Sequence, residues 1–193
     1  TANADGLNRD ASIAGAGGYD VNQNLAQSAG RTFTYDGENR LTGVGGNVTA
    51  SLAYDPLGRL NRTTIDGAVT RFLYSSDRIV AEQTPSGTIL RRYLFGDQTD
   101  EPISAWEGAD FTDQRIHHSD RQGSIIALST TGGAVSYSYG PYGETSPEAQ
   151  GPTRFGYTGQ LLLPSLRLYH YKARAYDPAR GWFLQTDPIG YED

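Results

Sequence analysis

Two seven-residue stretches decide the fold of this chain, namely Tyr35–Leu41, YDGENRL, and Tyr54–Leu60, YDPLGRL. Each places a Tyr-Asp pair before turn-forming residues and an Arg-Leu pair after them. In the second stretch Asp55, Pro56 and Gly58 occupy the first, second and fourth positions that a type I turn favours. Turn residues between two strand-forming segments predict a β-hairpin.

The same pattern recurs along the first part of the chain. Tyr19-Asp20 begins another copy, Tyr74-Ser75 is a degenerate one, and ADGLNR at positions 4–9 fits if alanine replaces the tyrosine. The copies follow one another at intervals of about fifteen to twenty residues, which is the length of one hairpin with its connection. The sequence therefore predicts a series of repeated hairpins.

The residues between the turns have the periodicity of β-strands. RTFTYD at 31–36 alternates, so Phe33 and Tyr35 are expected on one face and the threonines on the other. TRFLYS at 70–75, TILRRYLFG at 88–96 and AVSYSYG at 134–140 extend the series. The segment most similar to a helix is DRQGSIIALS at 120–129, but Gly123 and the β-branched pair Ile125-Ile126 disfavour a helix there. We predict an all-β fold.

Composition and charge exclude several classes of function. A net charge of −6 and a pI near 5.0 provide no basic surface for nucleic acid or anionic lipid. No apolar run reaches the length of a membrane span, and the absence of cysteine excludes disulfides and thiolate metal sites. Because the chain contains no methionine, we expect it to be part of a longer gene product.

The repeats resemble a known family. YDGENRL and YDPLGRL resemble the YD repeats of Rhs proteins, insecticidal toxin-complex C components and teneurins. HHSDRQGSIIALSTTGGAVSYSYGPYGE at 117–144 and RFGYTGQLLLPSLRLYHYKARAYDPARGWFLQTDPIG at 154–190 resemble the Rhs repeat-associated core. The resemblance implies a spiral of antiparallel hairpins that forms a slice of a hollow shell. It divides the chain into a YD-repeat region, 1–100, and a core segment, 101–193, that curls inward as a plug.

The resemblance also implies a function and a set of partners. The shell of such proteins encloses a C-terminal toxin, which aspartyl self-cleavage at the end of the core releases. The expected partners are that toxin domain, the rest of the shell, and secretion or delivery proteins, in a bacterial protein that is secreted or at the cell surface. No cofactor, metal, nucleic acid or membrane span is implied. An adhesive or glycan-recognition module of the teneurin type is the alternative.

The resemblance places two catalytic residues on this chain. The arginine of the ARxYDP stretch falls on Arg174, and the first catalytic aspartate falls on Asp187. The second aspartate belongs to a later Asp-Pro-x-Gly segment, and the scissile bond lies just beyond that segment. Neither has a counterpart up to Asp193, so this chain is expected to be inactive. Asp177 belongs to the YDP turn and is not the second acid.

The same aspartates also have a purely structural interpretation, as turn caps. Asp177 and Asp187 both precede proline, and aspartate in that position often caps a turn. His117, His118 and Asp120 are a weak metal-site candidate, because adjacent strand residues point to opposite faces. If Arg174 and Asp187 belong to a cleavage site, the fold is expected to bring them together.

Overall fold

The structure is a computed structural model that describes residues 18–145 and 153–187. Over these ranges the chain is built of β-strands, and its helical segments are two 3-10 turns, Tyr157–Gly159 and Pro164–Leu166. No helix in the described part of the chain is long and apolar enough to cross a membrane. The copy of the repeat at positions 4–9, and Pro188 with Gly190, lie outside the described residues.

The first twelve strands follow one another along the chain. They are β1 Gln27–Ser28, β2 Arg31–Tyr35, β3 Leu41–Gly45, β4 Ala50–Tyr54, β5 Leu60–Ile65, β6 Ala68–Ser75, β7 Arg78–Gln83, β8 Ile89–Phe95, β9 Pro102–Glu107, β10 Asp113–Ser119, β11 Ile125–Thr130 and β12 Gly133–Ser136. The last four are β13 Leu161–Leu163, β14 Leu168–Tyr171, β15 Arg174–Asp177 and β16 Trp182–Phe183.

Strands β1 to β12 form one open antiparallel sheet in which the spatial order is the sequence order. Each hairpin therefore pairs with the next, as the repeat predicted, and the all-β fold class is confirmed. In β2 the alternation is as expected, since Phe33 is buried and Thr32 and Thr34 are exposed. The segment 120–129 is a turn followed by β11 rather than a helix.

A β-bulge accompanies the repeated tyrosine. The pairing register shifts between Thr34 and Tyr35, between Ala53 and Tyr54, and between Leu73 and Tyr74. A bulge bends its strand and increases the local twist. Because the shift recurs at successive hairpins, the sheet is bent repeatedly in the same way.

The four C-terminal strands form a separate sheet, β13-β14-β15-β16, that packs against the large one. Its leucines Leu161, Leu163 and Leu168 belong to the same buried cluster as the inward-facing residues of the large sheet. Its opposite face carries a second cluster around Tyr169 and Tyr176. The C-terminal segment therefore lies inside the curve of the large sheet.

Both ends of the large sheet reach this C-terminal segment. Near its start, the Leu25 amide donates to the Leu184 carbonyl at 2.8 Å, and near its end the Ile125 amide donates to the Gly156 carbonyl at 3.0 Å. The pairing of β8 with β9 continues across the boundary expected at residues 100 and 101. The division into two regions stays a prediction.

Candidate functional site

The two residues predicted to be catalytic lie together at the C-terminal end of the described chain. Arg174 begins β15, and its Nη1 lies 2.9 Å from Oδ2 of Asp187. Its guanidinium carbon also lies 3.8 Å from the centre of the Phe183 ring, so the ring supports the cation from one side. The Asp187 side chain is 42% exposed, which leaves the carboxylate accessible to another group. The catalytic role of either residue stays a prediction.

The backbone beside this ion pair is fixed by two hydrogen bonds. The Leu184 amide donates to the Ala175 carbonyl, and the Ala175 amide donates to Oε1 of Gln185, each at 2.8 Å. Gln185 is buried, so its side-chain acceptor is shielded from water. The segment that leads to Asp187 is thereby held against β15 directly beside Arg174.

Asp177 caps a turn, as predicted from its YDP context. Its Oδ1 accepts from the Ala179 amide at 3.0 Å, and its carbonyl accepts from the Gly181 amide at 2.9 Å. Oδ2 forms an ion pair with Arg180. The carboxylate is almost fully buried and fully engaged, which agrees with a structural role.

The aspartate of each intact YD repeat caps its own turn in the same way. Oδ1 of Asp55 accepts from the amides of Leu57 and Arg59 at 2.9 and 3.0 Å. Its Oδ2 accepts from Nε of Arg59 at 2.8 Å, and this hydrogen bond lowers the pKa of the Asp55 carboxyl. Asp36 makes the equivalent bonds with its own turn and with Arg40.

Tyrosine and arginine then connect each repeat to its neighbour. The guanidinium carbon of Arg40 lies 4.9 Å from the centre of the Tyr54 ring in the next repeat. The Tyr54 hydroxyl in turn donates to the Leu41 carbonyl of the preceding repeat at 2.9 Å. The same tyrosine-to-carbonyl bond recurs from Tyr35 to Leu25, from Tyr74 to Leu60 and from Tyr139 to Ile125. The Tyr-Asp-Arg pattern is thus a connector between successive hairpins.

A buried ion cluster that the sequence did not reveal attaches the C-terminal segment to the large sheet. Glu82 on β7 is fully buried and binds Nε and Nη2 of Arg154 at 2.8 and 2.9 Å. It also accepts from the Tyr93 hydroxyl at 2.6 Å and from Arg91 at 3.2 Å. Burial alone would raise the pKa of the Glu82 carboxyl, but the charge and hydrogen bonds of Arg154 outweigh burial and hold it low. Predicting that Glu82 is buried would require the strand register, because Glu82 pairs with the buried Phe72 across β6 and β7.

The histidine pair is not arranged as a metal site. His117 is buried, and burial lowers its pKa to about 4. His118, its exposed neighbour, lies 2.8 Å from the Ser129 hydroxyl through Nε2. Asp120 caps a turn by accepting from the amides of Gln122 and Ser124.

A cleft of about 1010 Å³ separates the repeat turns from the edge of the C-terminal sheet. Several of its charged lining groups are paired within the protein, for example Arg59 with Asp55 and Lys172 with Asp100. The buried His170 lies against this cleft and stacks on Tyr54, with 6.1 Å between ring centres. This lining is that of an interface between two sheets.

Comparison with known proteins agrees with the repeat architecture. The sequence profile of the teneurin YD-shell family matches residues 14–193. The chain belongs to the teneurin YD-shell family. This membership assigns it a structural role of the shell type.

Individual relatives of this YD-shell chain include bacterial proteins many times its length. It is 31% identical over 183 residues to the tRNA nuclease WapA of Bacillus subtilis (strain 168), a match that covers 88% of this chain and 8% of the relative. It is 29% identical over 219 residues to double-stranded DNA deaminase toxin A of Burkholderia cenocepacia (strain H111), covering 89% of this chain and 15% of the relative.

Solved structures share the fold at lower identity. The crystal structure of TcdB2-TccC3-TEV superposes with a TM-score of 0.69 at 18% identity, over 92% of this chain and 10% of that one. A Tc holotoxin pore of Photorhabdus luminescens gives a TM-score of 0.69 at 16% identity, over 95% of this chain and 10% of that one. The YD-shell chain thus spans a small part of the proteins it matches.

Proposed function

We propose that this chain is part of a shell that encloses the C-terminal toxin portion of the same polypeptide, and that Arg174 and Asp187 supply half of a self-cleavage site. The observation that carries the proposal is the 2.9 Å ion pair between these side chains, which joins β15 of the C-terminal sheet to the segment that follows β16. The names of relatives, a nuclease and a deaminase toxin, support a toxin as the enclosed partner. A secreted or cell-surface location in a bacterium, with delivery proteins as further partners, belongs to the same proposal.

The half-site has the chemistry that one side of an aspartyl hydrolysis requires. The Asp187 carboxylate, oriented by Arg174, takes a proton from water while the water oxygen bonds to the carbonyl carbon of the scissile peptide. A second, protonated carboxyl polarises that carbonyl and then gives its proton to the leaving nitrogen as the C–N bond breaks. The products are a carboxyl group and an amine. A later Asp-Pro-x-Gly segment supplies the second acid, and the scissile bond lies just beyond it.

The test is to extend the chain past Asp193 through a second Asp-Pro-x-Gly segment and to follow cleavage by mass spectrometry. We expect the extended chain to cleave itself and the chain that ends at Asp193 to stay intact. Asp187→Asn is expected to abolish cleavage, and Arg174→Ala to slow it strongly. Asp55→Asn is the matched control, because Asp55 also precedes proline but caps a repeat turn.

Normal cleavage of the extended chain after Asp187→Asn would remove these residues from the mechanism. Enclosure is tested separately by adding protease to a polypeptide that carries the complete shell and its C-terminal portion. We expect the C-terminal portion to be protected while the shell is intact. Its immediate digestion under those conditions would contradict enclosure.

A further inference from the structure

The first described repeat, at 19–25, differs from the repeats at 35–41 and 54–60 at one of the four positions that these two share. In the repeats at 35–41 and 54–60, the fourth residue after the aspartate is an arginine, whereas after Asp20 it is Asn24. The turn itself keeps its cap, because Oδ1 of Asp20 accepts from the Asn22 and Asn24 amides at 2.9 and 2.8 Å. The Asn24 side chain is fully buried. The turn therefore does not explain why asparagine replaces arginine at this position.

The side-chain amide of Asn24 both donates and accepts hydrogen bonds. Its Nδ2 donates to Oδ2 of Asp20 at 3.0 Å and to Oδ1 of Asn39 at 2.9 Å. Its Oδ1 accepts from the backbone amide of Thr186 at 3.2 Å, across 162 positions of sequence. The side chain of arginine carries donors only, so the arginine found at this position in the repeats at 35–41 and 54–60 could not accept a hydrogen bond from the Thr186 amide. Asparagine preserves the contact with the aspartate and adds an acceptor for the C-terminal tail.

The neighbouring contacts show that this repeat holds the whole tail segment 184–186. Leu25, next to Asn24, donates its amide to the Leu184 carbonyl at 2.8 Å. From the other side, Gln185 accepts the Ala175 amide at 2.8 Å. The segment is thus held between the first described repeat and β15. Asp187 is the residue that follows it.

We infer that Asn24 and Gln185 are positioning residues that fix segment 184–186 so that the Asp187 carboxylate meets Arg174. The catalytic consequence of this inference rests on the proposed function, whereas the positioning is a property of the chain itself. A displacement of a reacting group by about 1 Å can lower the reaction rate about 100-fold. Neither residue touches the reacting atoms, so each acts through Asp187.

The first experiment measures the ion pair in the 193-residue chain by NMR of the Arg174 side-chain N–H groups. Restricted rotation of the guanidinium reports its contact with Asp187, and Asp187→Asn defines the signal of the broken pair. Asn24→Leu and Gln185→Leu are expected to give that broken-pair signal. Gln185→Glu keeps an acceptor for the Ala175 amide and is expected to retain the intact one.

Tyr54→Phe is the matched control, because it removes a hydrogen bond of another repeat that does not touch the tail. Its Arg174 signal is expected to be that of the unmodified protein. A folded Asn24→Leu variant with an intact ion pair would overturn the inference. If that variant does not fold, the comparison of Gln185→Leu with Gln185→Glu decides by the same criterion.

The second experiment introduces the same changes into the chain extended through the second Asp-Pro-x-Gly segment. We expect Asn24→Leu and Gln185→Leu to slow cleavage about 10- to 100-fold, with Gln185→Glu and Tyr54→Phe near the unmodified rate. Unchanged cleavage in both leucine variants, with Asp187→Asn inactive, would overturn the inference. Normal cleavage in Asp187→Asn would instead refute the proposed function, and the NMR result would still decide the positioning.

Discussion

The two sheets of this molecule are held together in opposite ways. In the twelve-stranded sheet the YD-repeat hairpins contact their neighbours in sequence through similar tyrosine, aspartate and arginine contacts. The polar contacts that attach the C-terminal segment to this sheet are instead single pairs of distant residues, such as Glu82 with Arg154 and Asp100 with Lys172, which are each 72 positions apart. The polar contacts are thus many and similar within the first sheet, and few and individually different where the C-terminal segment is attached to it.

This difference has a consequence for the effect of substitutions. Loss of one repeat connector leaves the equivalent connectors on either side in place, so its cost is limited to one hairpin. Loss of one partner in the buried cluster leaves an uncompensated charge between the sheets. The comparison therefore predicts a ranking of substitutions by the sheet they affect.

The largest effect is expected from Glu82→Gln. This change leaves Arg154 buried without its counter-charge, and breaking such a pair typically costs about 3–5 kcal/mol. Urea denaturation of the variant measures the loss in the free energy of unfolding. Glu38→Gln is the control, since Glu38 pairs with Arg40 but is 72% exposed, and its change is expected to stay within about 0.5 kcal/mol. Equal effects of the two substitutions would contradict the contrast between the sheets.

Tyr54→Ala is expected to be the next in size. It removes a half-buried ring that packs on the core, stacks with His170 and bonds the preceding repeat, so we expect a loss of about 2–4 kcal/mol in the free energy of unfolding. Tyr54→Phe keeps the ring and is expected to cost about 1 kcal/mol, for the hydrogen bond alone. An unchanged denaturation midpoint in Tyr54→Ala would show that the repeated tyrosine does not connect the hairpins.

Acid is expected to weaken the attachment of the C-terminal sheet through His170. Burial lowers the pKa of this imidazole from 6.5 to about 4, and its Nε2 is buried without a hydrogen-bond partner among the described residues. Between these two values the unfolded chain binds a proton that the folded chain does not, so stability falls as the pH decreases. Between pH 8 and pH 5 this contribution amounts to about 2 kcal/mol.

The matched variant for this prediction is His170→Phe, which keeps an aromatic ring against Tyr54 but has no titrating group. Urea denaturation of both proteins at pH 8 and at pH 5 isolates the contribution of His170. We expect the unmodified protein to lose about 2 kcal/mol more than the variant over this interval. An identical pH dependence in the two proteins would show that the histidine is not held neutral at the interface.

The smallest effect is expected from Arg40→Lys. The lysine keeps the positive charge beside Asp36 but loses the planar group that stacks on Tyr54. We expect a loss of about 0.5–1 kcal/mol in the free energy of unfolding, measured by urea denaturation. A loss as large as that of Glu82→Gln would show that single connectors dominate the large sheet as well.

The same difference explains which features are predictable from the sequence. Phe33, Tyr35 and the Asp55 turn are defined by residues a few positions away, and repetition at regular intervals makes the hairpin series recognisable. The family resemblance pointed to Arg174 and Asp187, which the fold brings together. Glu82 with Arg154, and Asn24 with Thr186, depend on how far the sheet curves over many strands. No local sequence pattern encodes how far the sheet curves. Asn24, which replaces the repeated arginine, nevertheless marks one of these contacts.

The hydrogen bond between Asn24 and Thr186 also bears on the order of folding. A contact that spans 162 positions closes a far longer loop than the Tyr54–Leu41 bond, which spans 13. If both loops close from the unfolded chain, the entropic cost is about 2 kcal/mol greater for the longer one. Once the hairpins have formed in succession, most of that loop is already ordered and the remaining cost is small. The tail is therefore expected to dock last, so the Arg174–Asp187 pair forms only after the repeats have wound around it.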